Sequence, residues 1–190
     1  MSDLKRCLVA PGEFAISNAP EGVDALVLAR AAEAAEAPVI FIARDDAHLA
    51  RVEQTLAFFR PGFRCRVLQA WDCLPYDRVS PLADVVAGRV STLSALAAAP
   101  DEIDILLTTV NAASQRVPPR AALTGTSFRA ATGDAVDQTA LFAFLTDNGY
   151  HRTATVREPG EFAVRGGIVD VFPPGVGDPL RLDFFGDELE

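Results

Sequence analysis

The sequence predicts an α/β protein in two parts: a three-layer α/β domain with a parallel sheet, followed by a small α+β domain with an antiparallel sheet. Three observations carry this. Through residue 120, short apolar runs alternate with helical stripes, which implies right-handed crossovers and parallel strands. Beyond residue 128 a single helix is followed by strand-like runs in succession, and Pro- and Gly-containing turns separate those runs. An N-terminal segment, 1–22, precedes the first domain at 23–120, and the second domain runs over 128–190.

Each element has a local reason. From Val23 to Glu36 the apolar positions Val23, Leu26, Val27, Ala31, Ala34 and Ala35 keep helical spacing, and Pro38 ends the helix. Val39-Ile-Phe-Ile-Ala43 is a continuous apolar run bounded by charge, the pattern of a buried strand. Asp45 or Asp46 is placed to cap a second helix with the stripe Leu49, Val52, Leu56 and Phe59. Pro61-Gly62 breaks it, and Cys65 to Leu68 is a weaker strand. A third helix over Leu82 to Ala98 presents Val86, Val90, Leu93 and Ala97, and stops at Pro100. Ile103 to Thr109 is a further buried strand, followed by a short helix through Gln115. In the second part, Gln138 to Asn148 is a helix with Leu141, Phe144 and Leu145 on one side and Gly149 as its stop. Arg152 to Val156, Glu161 to Phe172 and Leu180 to Phe185 then read as strands. The chain stops just after the last of these, which predicts a piece of a longer protein.

Composition removes several function classes. The 190 residues are 49% hydrophobic and 23% charged, a globular balance. No run reaches the ~20 apolar residues of a membrane span, and the N-terminus lacks a secretory signal. Cys7, Cys65 and Cys73 are odd in number and scattered, which argues against a disulfide framework and for a reducing cytoplasm. The net charge is −9, and 16 of the 17 bases are Arg, with Lys5 alone as lysine. A P-loop needs lysine directly after its last glycine to reach a nucleotide's phosphates, and Lys5 sits in no glycine loop, so the chain carries no P-loop. The acidic balance also disfavours a dedicated duplex-DNA binder, whose affinity comes largely from neutralised phosphates. Residues 128–190 hold 5 Arg against 11 acids, and residues 1–127 hold 12 bases against 15 acids.

Catalytic signals are sparse. His48 and His151 have no cysteine or carboxylate at metal spacing and read as surface histidines. Cys65 and Cys73 lack the close pairing of a zinc or redox site. No G-x-S-x-G elbow occurs. Asp72 and Asp77 flank Leu-Pro-Tyr in a loop, where aspartates more often cap turns than act as acid and base. Trp71 and Tyr76 read as residues that pin this loop, with Pro75 restricting Leu74. Ser17-Asn-Ala-Pro-Glu-Gly22, just before the first helix, reads as an ordinary helix start. The last strand is more informative. Leu180, Leu182 and Phe184 alternate with Arg181, Asp183 and Phe185. The first set forms the expected core face, with Ile168 or Val169. The second places an aromatic among charges on the outer face, and Arg165 projects nearby. Arginine and aromatic side chains together are typical interface anchors; the alternative is that Phe185 packs beneath a further part of the domain.

Specific motifs accompany this pattern. Trp71-Asp-Cys-Leu-Pro-Tyr-Asp77, Ser80-Pro81, Arg89, Gln115-Arg116 and Pro118 resemble the N-terminal region of the bacterial transcription-repair coupling factors. So do Gly149-Tyr150, Pro159-Gly-Glu-Phe-Ala-Val-Arg-Gly-Gly-Ile-Val-Asp-Val-Phe-Pro173 and Arg181-Leu-Asp-Phe-Phe-Gly-Asp187. The resemblance implies a fold like that of the excinuclease protein UvrB: a degenerate RecA-like domain without a P-loop, carrying a small inserted domain. It implies no cofactor in this stretch, with ATP and magnesium belonging to motor domains beyond residue 190. It also implies that the module docks the excinuclease protein UvrA through Arg165, Arg181 and Phe185, while the whole protein engages RNA polymerase and duplex DNA. A nucleotide-binding domain and a DNA-contacting piece are the competing readings, weakened by the missing lysine and by the negative charge.

Overall fold

The computed structural model describes residues 12–74, 76, 78–123, 125 and 127–190. Lys5, Cys7, Pro75 and Asp77 lie outside the described residues. The chain divides into two compact units between Arg120 and Ala121.

The first unit is an α/β arrangement of α1 (Val23–Ala34), β1 (Val39–Ala43), α2 (Asp46–Phe59), β2 (Cys65–Leu68), α3 (Ala83–Ala98), β3 (Ile105–Thr109) and α4 (Val110–Ser114), and the short helix α5 (Arg120–Leu123) starts at its last residue. The sheet order is β1-β3-β2, and both pairings are parallel. All five residues of β3 are buried, as the centre of a parallel sheet requires. Leu49, Val52 and Leu56 of α2 pack with Ala25, Leu28 and Ala29 of α1 against Ala43, Ile105 and Leu107. Asp45 caps α2 by accepting from the His48 backbone N–H at 2.7 Å.

Three predicted stripes are corrected here. In α1 the buried residues are Ala25, Leu28 and Ala29, while Leu26 is exposed. Phe59 at the end of α2 is exposed. In α3 the buried residues are Ala87, Arg89 and Thr92, and Val90 faces out. Polar residues hold the α3 position because the open β2 edge offers acceptors there: Thr92 Oγ1 donates to the Val67 carbonyl at 2.8 Å, and Arg89 donates to the Gln69 carbonyl.

Arg89 also explains a set of residues scattered along the sequence. Its guanidinium lies 4.4 Å from the centroid of the Trp71 ring. It donates to Gln115 Oε1 at 3.3 Å, and the Trp71 backbone N–H donates to the same oxygen at 3.0 Å. Arg89 is 1% exposed, and burial pushes its pKa down. Trp71, Arg89 and Gln115 thus tie the loop after β2 to α3 and to the end of α4. Tyr76 takes no part, being 95% exposed, so the expectation that it pins the loop is corrected.

The second unit contains α6 (Gln138–Asp147), β4 (His151–Arg152), β5 (Glu161–Arg165), β6 (Ile168–Val171), β7 (Leu180–Phe185) and β8 (Glu188–Leu189). The strands run in order β4-β5-β6-β7-β8. The sheet is antiparallel except that β4 pairs parallel with β5. Asp137 caps α6 by accepting from the backbone of Thr139 and Ala140. Gly149, at φ 83°, turns the chain out of the helix, where the Tyr150 N–H reaches the Leu145 carbonyl at 2.9 Å. Leu141 and Leu145 pack on Phe162, Val169, Val171, Phe184 and Leu189.

The run Glu161 to Phe172 is a hairpin rather than one strand, because Gly166-Gly167 turns the chain and Arg165 pairs with Ile168. Gly166 has φ 62°, a value glycine supplies without strain. Gly167 faces the backbone of β7, where the Phe184 N–H donates to its carbonyl at 2.8 Å. The run Arg152 to Val156 keeps strand pairing only at His151–Arg152. Leu180 opens β7 at the margin of the core face and is exposed, which corrects its assignment to the core.

Candidate docking face of the second sheet

Strand alternation and register decide which side chains share a surface. In β7, Leu182 and Phe184 turn toward α6, and Arg181, Asp183 and Phe185 turn away. Asp170 of β6 lies opposite both Arg181 of β7 and Ala163 of β5, while Ile168 lies opposite both Arg165 and Asp183. Cross-strand partners stand on one face, so Arg165, Arg181 and Phe185 are all on the outer face of this sheet. Phe185 is 79% exposed where the adjacent Phe184 is 8% exposed.

The two arginines meet at one cleft. An open cavity of ≈ 430 Å³ is lined by Arg165, Asp170 and Arg181, with Thr155, Val156, Pro179 and Leu180 completing its wall. Arg181 donates from Nε to Asp170 Oδ1 at 2.7 Å and from Nη2 to Oδ2 at 3.1 Å, a two-point pairing. That pairing holds the Asp170 carboxyl below its usual range and raises the Arg181 guanidinium. Arg165 Nη2 donates to the Ala154 carbonyl at 3.0 Å and to Thr155 Oγ1 at 3.4 Å. Phe185 shares the face without lining the cleft, and pairs across to Glu188 of β8. The arrangement is chemically a set of fork donors beside an exposed ring, suited to recognition of an anionic and apolar surface. Asp170 escaped the sequence reading because only the strand register sets it opposite Arg181.

The remaining sequence candidates have structural partners. Asp72 accepts from the Leu82 backbone N–H at 3.1 Å, the turn-capping role expected for it. His48 is half-buried rather than a free surface residue: Nε2 lies 2.7 Å from Asp24 Oδ2, and its ring meets Phe41 edge-on. Burial pushes the Cys65 thiol up. Among the described residues, no group of three or more His, Cys, Asp or Glu is placed to hold a metal ion, and no helix is long and apolar enough to cross a membrane.

Comparison with known proteins supplies the family. The model of the UvrB interaction domain matches residues 128–190. The transcription-repair-coupling factor of Escherichia coli (strain K12) is 36% identical over 166 residues, covering 87% of this chain and 14% of that protein. The factor of Myxococcus xanthus is 36% identical over 170 residues, covering 86% of this chain and 14% of its own length. The Haemophilus influenzae factor is 30% identical over 175 residues, 92% of this chain and 15% of the relative. The chain therefore spans about one seventh of the length of these relatives. On this match, which runs through both units, the chain belongs to the transcription-repair-coupling factor family and carries its UvrB interaction domain at residues 128–190.

Proposed function

We propose that this chain is the recruitment module of a transcription-repair coupling factor, and that its second unit docks UvrA. The whole protein is then an ATP-driven translocase on duplex DNA that displaces stalled RNA polymerase, and this piece delivers the repair machinery to the site. One observation supports the docking assignment above others: Arg165, Arg181 and Phe185 stand on the solvent face of the UvrB interaction domain, while the opposite face is filled by α6. A strand that buries Phe184 and exposes Phe185 keeps an apolar ring in water, which folding alone does not reward.

The module itself works by binding, without nucleotide chemistry. It has no G-x-x-x-x-G-K-[ST], and calorimetric titration with Mg-ATP is expected to be silent. Docking is tested on the 190-residue chain by measuring affinity for UvrA and melting temperature on the same preparations. Arg165→Ala, Arg181→Ala and Phe185→Ala should each weaken binding about tenfold or more while the melting temperature holds. Reversing either arginine to Glu should weaken it further. Three variants that bind as the wild type does would remove the docking assignment.

A further inference from the structure

Arg181 enters the cleft already oriented. Asp170 grips the Nε–Nη2 edge of its guanidinium at two points, and the remaining N–H donors of Arg181 have no acceptor among the described residues. Arg165 is held through Nη2 alone, which leaves Nε and Nη1 similarly unengaged. The Asp170 side chain is 15% exposed against 59% for Arg181, so the carboxylate sits beneath the guanidinium instead of beside it at the surface. The β6–β7 register fixes this: Asp170 and Arg181 are directly opposed on the central strands of the sheet, where neither backbone can shift without disturbing the Val169, Leu182 and Phe184 packing on the other face.

We propose that Asp170 is a positioning residue for docking: it locks Arg181 so that Arg181 and Arg165 jointly present their unengaged donors to a carboxylate of the partner protein in the cleft they line. The inference rests on the docking function proposed for Arg165, Arg181 and Phe185. A free surface arginine loses rotamer freedom when it binds; one already gripped by a carboxylate has lost it on folding, so binding forfeits less. A carboxylate is the matching ligand because it accepts from a guanidinium edge through two oxygens, and a protein partner supplies it on an Asp or Glu side chain. The cleft, at ≈ 430 Å³, leaves room beside Thr155 and Leu180 for the aliphatic stem of such a residue.

The test measures affinity for purified UvrA and melting temperature for the wild-type chain, Asp170→Asn, Arg181→Ala and the double variant. Asp170→Asn keeps the side chain's size but turns one acceptor into a donor facing the guanidinium. It should weaken binding roughly five- to tenfold, and the double variant should bind no worse than Arg181→Ala alone, because Asp170 acts only through Arg181. Asp170→Glu keeps the charge and displaces the fork by one methylene. It should melt as the wild type does and still lose affinity, a result that a purely structural or purely electrostatic role would not give; it also decides the matter if Asp170→Asn melts too low to assay. Affinity unchanged or improved in Asp170→Asn, additive losses in the double variant, or wild-type affinity in Asp170→Glu would each overturn the inference while Arg181→Ala still binds weakly. Wild-type affinity in Arg181→Ala and Arg165→Ala would instead overturn the docking function beneath it.

Discussion

The two units use arginine in opposite ways. In the parallel-sheet unit, Arg89 is sealed under Trp71 and its Nη1 donates to the Gln69 carbonyl and to Gln115, with Nε buried and without a partner among the described residues. In the second unit, Arg165 and Arg181 stand on an open face with donors to spare. The same side chain therefore does structural work where carbonyls and an aromatic ring surround it, and, under the proposed docking function, recognition work where a carboxylate steadies it from below. Burial of a charge is costly unless its donors are satisfied, so Arg89 is bound to its site, and losing it leaves acceptors and a ring face without a partner.

The largest expected effect breaks that contrast on the structural side. Arg89→Ala should destabilise the first unit by about 3–5 kcal/mol, because it removes a buried hydrogen-bonded group and opens a cavity under Trp71. Arg89→Lys should rescue little, since an ammonium reproduces neither the fork nor the stacking. Urea denaturation reads the loss, and binding of UvrA by protein that remains folded should be unaffected. A fold indifferent to Arg89→Ala would show that the network is incidental.

In the second unit the comparable weak point is a glycine. A Cβ on Gly167 would meet the Phe184 carbonyl oxygen at 2.6 Å, whereas one on Gly62 in the first unit meets nothing within 4 Å. Gly167→Ala should cost about 2 kcal/mol through a shift of β6 against β7, and it should weaken partner binding along with stability. Gly62→Ala should stay within about 0.5 kcal/mol of the wild type. Equal melting temperatures for the two variants would mean that the hairpin yields without consequence.

This contrast also marks what the sequence could say. The α/β order, a cap at Asp45 or Asp46, the Leu49, Val52 and Leu56 stripe and the opposed faces of β7 follow from local signals, which neighbouring residues set. The faces of α1 and α3 do not. Both helices are rich in alanine, so two stripes of similar hydrophobicity compete, and contacts with the sheet choose Ala25 and Leu28 over Leu26, and Arg89 over Val90. The Gly166-Gly167 turn is legible in principle, since two glycines between runs of alternating apolar residues are a hairpin signal that a single strand over Glu161 to Phe172 leaves out. For the proposed docking face, Arg181 and Phe185 are visible from alternation, whereas Asp170 and the cleft depend on a register between strands that no single segment encodes.

The loop after β2 offers a smaller and sharper comparison. Trp71 is half-buried on Arg89, and Tyr76, five residues on, is 95% exposed. Trp71→Ala should cost about 2 kcal/mol, less than a fully buried tryptophan, and Tyr76→Ala should leave stability unchanged. Both should retain affinity for UvrA. If Tyr76→Ala abolished binding with the fold intact, the docking surface would lie in the first unit, and the division of labour between the two sets of arginines would fail.

The smallest effect compares the two units through acid. Asp104 accepts from Arg64 Nη2 at 2.6 Å and from the Arg64 backbone N–H at 2.8 Å; Asp170 accepts from Arg181. Each partner arginine holds its carboxyl below the ordinary 3.8. A carboxyl depressed in the folded state stabilises it above the unfolded value and loses that contribution as pH falls through the folded one. Both pairs should therefore contribute a constant stabilisation from pH 7 down to about 5, and that contribution should fall away below about 4. Asp104→Asn should lower the melting temperature of the first unit slightly at neutral pH and flatten its acid limb, and Asp170→Asn should do the same for the second. Because both arginines are largely solvated, the differences should be small and should shrink in salt. Melting curves from pH 7 to 3 at low and high ionic strength check this. An acid limb that keeps its slope in Asp170→Asn would show that Asp170 is not held ionised by Arg181, and the two-point grip that orients the arginine would go with it.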